Sequence, residues 1–306
     1  MENFSVKEIV AIHGLSSHVF QGGAEPLIWG YYLKKDELYS ELLKRRVLTT
    51  RGIVKAAEGI VSNPTTRHVL KKYVSRFIED GKLVRIRRGL YAALAPLDDP
   101  ETFIPDKFLV GTKVRSEGFL GYHTALEFHG CADSPVYNTI YVCVNPSKRF
   151  DKFSFRGLHF KPILVQDTET GVIEEKYLGQ QVRVSNMERT FVDSLDRVNY
   201  VGGWEECLKS LETARGLDFN RVIDYTLKRD NEFLTRKIGF TLELLRDTST
   251  FYEHLDDEHL KKLSDQVGKS PRYLEGARSP EETKTLNKKW RLYLPHQFEE
   301  RFLRGV

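Results

Sequence analysis

The densest chemistry in this chain lies between residues 65 and 88, where Thr65, Thr66, Arg67, His68, Lys71 and Lys72 precede Lys82, Arg85, Arg87 and Arg88. Guanidinium and ammonium groups packed this closely suit phosphate oxygens, and an arginine can also grip both acceptors on the edge of a guanine. Arg67 is the candidate for that bidentate contact, and Thr65 or Thr66 for a phosphate or a thymine methyl. Lys82, Arg85, Arg87 and Arg88 would hold the backbone of double-stranded DNA. Thr65, Thr66, Arg67, His68, Lys71 and Lys72 are the candidates for the groove, although an exposed helical histidine such as His68 is more often a bystander than a base reader.

A second constellation sets Pro105-Asp106 against Glu174-Glu175-Lys176, imitating the acidic pair and lysine with which metal-dependent nucleases hold Mg²⁺ beside a scissile phosphate. The separation of 68 positions, with little strand signal around Glu174, favours coincidence, so a nuclease stands only as the alternative reading. Walker A, GxSxG and HExxH motifs are missing, and His123, His129 and Cys131 lack the spacing of a zinc site. No catalytic residue, cofactor or metal is therefore expected.

The basic residues need elements to position them. Leu38, Leu42 and Leu43 recur at helical spacing from Asp36 to Arg46, with Asp36 favouring the positive end of a first helix. Thr49 can cap a short second helix from Thr50 to Glu58. After a turn at Gly59 to Ser62, Asn63 is the expected N-cap and Pro64 the first residue of a third helix. Leu70, Tyr73, Val74, Phe77 and Ile78 would bury one stripe of that helix, leaving Arg67, His68, Lys71, Lys72, Ser75 and Arg76 on the other side. Gly81 suits the helix stop, and Lys82 to Tyr91 reads as a basic β-hairpin. Three short helices and such a hairpin are the parts of a winged helix-turn-helix, whose third helix enters the major groove while the wing follows phosphates.

Charge is distributed to match. Residues 34–91 carry 15 Lys+Arg against 6 Asp+Glu, a balance of +9 inside a chain of net +4. Residues after 95 sum to −3, a field expected to repel DNA and leave that part for protein contacts, including self-association. A small basic patch there, Lys148-Arg149 with Lys152 and Arg156, reads as the solvated end of a hairpin. The chain of 306 residues is 40% apolar, enough for two domain cores. Three scattered cysteines suggest no disulfide framework, and neither a signal peptide nor a membrane-length apolar run is evident, so a cytoplasmic protein is expected.

Beyond a proline-flanked linker at Ala95 to Pro100, helices are expected at Phe108 to Arg115 and Tyr122 to His129, and a strand at Thr139 to Val144. Paired strands around Arg156-Gly157 follow, then a strand at Gln181 to Val184, and a helix capped by Ser185. The later pattern is helical. The fold class is α+β: residues 1–33 an N-terminal extension, 34–95 the winged helix-turn-helix, 96–245 a larger α+β domain, and 246–306 a helical tail. In the extension, residues 5–13 read as a short amphipathic helix and 14–23 as a loop.

Several motifs then occur in a telling order: Leu48-Thr49-Thr50, Arg88-Gly89-Leu90-Tyr91, Ile104-Pro105-Asp106-Lys107-Phe108, and Gly121 through Gly130. Val184-Ser185-Asn186-Met187-Glu188-Arg189-Thr190-Phe191-Val192-Asp193 and Gly202-Gly203-Trp204-Glu205-Glu206 complete the series. Over roughly residues 36 to 245 the chain resembles the AbiEi-like family of type IV antitoxins and transcriptional regulators of viral defence systems. The resemblance implies a winged helix bound to operator DNA upstream of its own operon. It also implies a C-terminal domain that counteracts a nucleotidyltransferase-like toxin. Read from the residues alone, Glu188-Arg189-Thr190 with Asp193 is an internal salt-bridged helix start rather than a partner contact.

Overall fold

Residues 25–134, 137–274, 285–295 and 298 are described by a computed structural model, with side chains from residue 32 onward. The helix and loop expected at residues 5–13 and 14–23 lie outside the described residues. The chain divides into two units, Met1–Phe103 and Ile104–Val306, and its architecture is α+β.

The first unit begins with α1, Glu25–Arg45, which buries Leu38 and Leu42. It starts well before Asp36, because Pro26 falls in the first turn, where its missing N–H costs nothing. Asp36 is thus a mid-helix residue whose carboxylate sits 3.5 Å from Lys82 Nζ, and the supposed extension cedes residues 25–33 to the winged helix. Strand β1, Val47–Thr49, leads into α2, Thr50–Ala57, capped as expected by Thr49, whose hydroxyl accepts from Gly52 N–H at 3.1 Å.

Helix α3 covers residues 66–79 and departs from expectation twice. Its N-cap is Thr65, not Asn63; the Thr65 hydroxyl accepts from His68 N–H at 3.3 Å. Asn63 instead takes a left-handed conformation, φ 50°, which its short polar side chain tolerates, and Pro64 precedes the cap. The helix is also interrupted by a π turn at Leu70–Val74, where the Ser75 hydroxyl donates to Leu70 O at 3.1 Å. Its buried stripe is consequently Val69, Tyr73, Val74 and Phe77, while Leu70 and Ile78 are only half-buried. Gly81, φ 69°, ends the helix as expected: its N–H reaches Ile78 O, and that of Lys82 reaches Phe77 O at 2.7 Å.

Strands β2, Leu83–Arg87, and β3, Leu90–Ala93, form the wing, and β3 also pairs with β1 in a sheet ordered β1-β3-β2. The segment after β3 stays with this unit, since a Cβ on Gly81 would lie 2.8 Å from Pro100 Cγ. The boundary therefore falls at Phe103 rather than at 95, and Asp98, Asp99 and Glu101 belong to the first unit. Counted that way, the first unit holds 16 Lys+Arg and 12 Asp+Glu, and the second 31 of each. The second unit is neutral, not acidic.

That unit is built on a six-stranded sheet of order β6-β7-β5-β4-β9-β8, comprising β4 Phe119–Leu120, β5 Thr139–Val144, β6 Phe153–Phe155, β7 Leu158–Leu164, β8 Val172–Tyr177 and β9 Gln180–Ser185. Pairs β5/β7 and β4/β9 are parallel and the others antiparallel. Strand β8 has no sequence signature because Glu174, Glu175 and Lys176 are all exposed at the sheet edge. It is made by the two-residue turn Leu178-Gly179, both at positive φ, which folds it onto β9. Helices α4 Lys107–Val114 and α5 His123–Phe128, expected at 108–115 and 122–129, pack on the sheet.

Helix α6, Met187–Asp196, is capped by Asn186 rather than Ser185, since Ser185 still belongs to β9 and its hydroxyl meets that of Thr190 at 2.7 Å. The expected internal salt bridge is present: Arg189 Nε donates to Asp193 Oδ2 at 3.1 Å, both side chains buried. The remaining Arg189 donors reach the carbonyls of Asp167 and Thr170, and Arg229 takes the other Asp193 oxygen.

Helices α7 Trp204–Glu212, α8 Phe219–Lys228, α9 Glu232–Thr248 and α10 Asp257–Ser264 follow, then a small sheet of β10 Arg272–Tyr273, β11 Thr285–Asn287 and β12 Leu292–Leu294. Residues after 245 are therefore neither wholly helical nor a separate tail. Tyr252, Leu260, Trp290 and Leu292 share one core with Ile238 and Leu242, burial that local periodicity cannot reveal. No described helix is long and apolar enough to cross a membrane.

Gly239 of α9 lies flat against Trp290, so a Cβ there would fall 2.0 Å from the indole. Gly239→Ala should lower unfolding stability by about 1–3 kcal/mol through overpacking, measured by denaturant titration, despite the better helix propensity of alanine.

Candidate nucleic-acid interface

The exposed side of α3 forms the wall of a groove of about 870 Å³, lined by Thr65, Arg67, His68, Lys71, Lys72 and Arg76 together with Tyr32, Lys35 and Asp80. Four cations expected or noted from sequence therefore converge on one depression. The buried stripe fixes this, because Val69, Tyr73 and Phe77 anchor α3 against Leu38, Leu42 and Ile53 and leave its opposite side outward.

Individual residues divide by what holds them. Arg67, Lys71 and Lys72 are exposed, with Lys72 Nζ 6.0 Å from the centre of the Tyr73 ring. Thr65 is exposed as well, but its hydroxyl serves the helix cap, whereas that of Thr66 does not. His68 is half-buried, with its ring 6.0 Å from that of Tyr73. Lys35 and Tyr32 enter the groove from α1, where a misplaced helix start hid them. Lys35 is tied to Asp80 at 2.6 Å. Arg76 lies 3.0 Å from Glu79 on the open surface.

The wing is uneven. Arg85 and Arg88 are exposed, and Arg85 lies 5.7 Å over the Tyr91 ring. Arg87 is half-buried beside a bulge that shifts the β2–β3 register between Arg85 and Arg87. Lys82 is drawn inward, 4.6 Å over the Tyr39 ring and near Asp36. Tyr39 donates to Leu94 O at 2.5 Å, and burial, with Asp98 nearby, raises its phenol pKa so that it remains a donor. Arg85 and Arg88 are thus the wing residues that reach solvent best.

In the second unit one of the suspected nuclease residues, Asp106, has other partners, and Glu174, Glu175 and Lys176 lie exposed on β8. Asp106 Oδ1 accepts from Phe108 and Leu109 N–H as the cap of α4, and Oδ2 accepts from Tyr177 OH at 2.9 Å. Among the described residues, no group of three or more His, Cys, Asp or Glu is placed to hold a metal ion. His123 is fully buried and meets Glu206 at 3.1 Å, while His129 meets Ser185 O at 2.7 Å and burial lowers its pKa. Cys131 is buried, and burial pushes its thiol up to about 11. Of the basic patch, Lys148, Arg149 and Lys152 are exposed in the segment before β6, whereas Arg156 in the β6–β7 turn is half-buried, its guanidinium 5.1 Å over the Phe155 ring.

No protein-family profile and no curated protein matches the sequence. The fold is similar to that of the RV2827C protein from Mycobacterium tuberculosis, known from a crystal structure. The TM-score is 0.59 at 14% identity, with 89% of this chain and 94% of that one covered. At that identity the likeness concerns the fold alone.

Because the hydroxyl of Thr65 caps α3, Thr65→Ala should cost about 1 kcal/mol of stability, read from the denaturation midpoint. An unchanged midpoint would mean that the helix starts elsewhere.

Proposed function

We propose that this protein is a cytoplasmic DNA-binding transcriptional regulator, an antitoxin-type repressor of its own operon. The observation that carries the reading is the convergence of Arg67, Lys71 and Lys72 on the open groove beside α3. A third helix with outward cations and an adjacent basic hairpin matches the way winged helix-turn-helix domains approach duplex DNA. Arg67, in the first turn, is the base-reading residue, and Arg88 at the tip of the wing is a phosphate contact. The antitoxin half, with a nucleotidyltransferase-like toxin as second partner, is supported by the ordered motifs of the sequence. Coexpression with a nucleotidyltransferase encoded beside this gene tests it: restored growth is expected, and continued arrest would remove the antitoxin half.

Duplex binding by the full chain should fall linearly with log salt, with a slope of about 0.9 per phosphate neutralised. Arg67→Ala should cost about 1–3 kcal/mol on operator DNA and little on random duplex. Arg88→Ala should weaken both alike and flatten the salt slope by about one unit. Equal behaviour of the two variants on both duplexes would reverse the groove assignment.

A further inference from the structure

We propose that Arg76 is a further phosphate contact, carried to the DNA-facing side of α3 by the π turn at Leu70–Val74; this rests on the DNA-binding reading above. Nine positions separate Arg67 from Arg76, about two and a half α turns, which would set the two guanidiniums on opposite sides of a straight helix. A π turn closes i→i+5 and absorbs roughly one extra residue, so the positions after it are set back by about 90°. Arg76 then falls within about a quarter turn of Arg67, on the same side as His68 and Lys72. Its place in the lining of the groove, with Arg67, Lys71 and Lys72, agrees with that arithmetic.

The buried side gives an independent check. Val69, Tyr73 and Phe77 are spaced by four, a spacing that drifts by about 40° at each step along an α-helix. All three are nonetheless buried, at 0%, 2% and 0% exposure, and the set-back straightens them into one column. The π turn that aligns the apolar column is the same one that gathers the cations, so the two faces are coupled. Among the described residues Arg76 is held by Glu79 on the surface, with 64% of its side chain exposed, a contact weak enough to exchange for a phosphate.

The test measures duplex binding by the full chain across a salt series for wild type, Arg76→Ala, Arg76→Lys and Lys71→Ala, with thermal melts of each. Arg76→Ala should flatten the log–log salt slope by about one unit, as Lys71→Ala does, on operator and random DNA alike, without shifting the melt. Arg76→Lys should restore most of the slope, a rescue that a merely structural role would not give. If Lys71→Ala flattens the slope and Arg76→Ala leaves it at the wild-type value, Arg76 faces away from the DNA and the inference is wrong while the function stands. If the wild-type chain shows no salt-dependent duplex binding, both fall together.

Discussion

The spacing of four between Val69, Tyr73 and Phe77 is the constraint on which the groove beside α3 depends. Three large side chains must reach one core, and an uninterrupted α-helix would rotate them progressively away from it. The chain resolves the conflict with a π turn, at the cost of irregular hydrogen bonding partly offset by the Ser75 hydroxyl on Leu70 O. Burial of these side chains, about 1.5–3 kcal/mol each, outweighs a local distortion of that size. The polar side has no comparable preference of its own. It follows the core, and the cations end up in one groove because the apolar column is straight.

In the second unit the corresponding constraint is electrostatic. Asp193 is almost completely buried; burial raises its carboxyl pKa while Arg189 and Arg229 oppose the rise. Removing one member of such a set leaves a charge without a partner in a poorly solvating interior, a loss of about 3–5 kcal/mol. Arg189 also lies 4.4 Å over the Phe119 ring, and its bonds to the carbonyls of Asp167 and Thr170 tie the loop before β8 to α6. The stretch from Val184 to Asp193, the most specific part of the family resemblance, is therefore scaffold.

Local chemistry was legible wherever a residue acts on its neighbours. Thr49 caps α2, Gly81 ends α3, a hairpin follows from Lys82 to Tyr91, and Arg156-Gly157 joins β6 to β7, all as read from the sequence. Misreadings arose where two neighbours compete for one role. Asn63 and Thr65 are both good caps, and so are Ser185 and Asn186; the choice went to the residue whose partner lay free after strand or turn geometry was satisfied. Strand β8 was invisible because edge residues need not alternate, and pairing with β9 rather than its own composition makes it a strand.

The sequence by itself determined the parts: an α+β chain, a basic winged helix-turn-helix near the N-terminus, and the identity of most cations along its third helix. Those follow from periodicity, caps and charge, which act over a few residues. The tertiary structure alone decided the phase of α3, the entry of Tyr32 and Lys35 into the groove, the inward turn of Lys82, and the unit boundary at Phe103. It also brought Trp290 onto Gly239, joining the segment around Trp290 to the core of the second unit. Each of these depends on close packing between residues distant in sequence, where volume and orientation choose among several locally acceptable conformations.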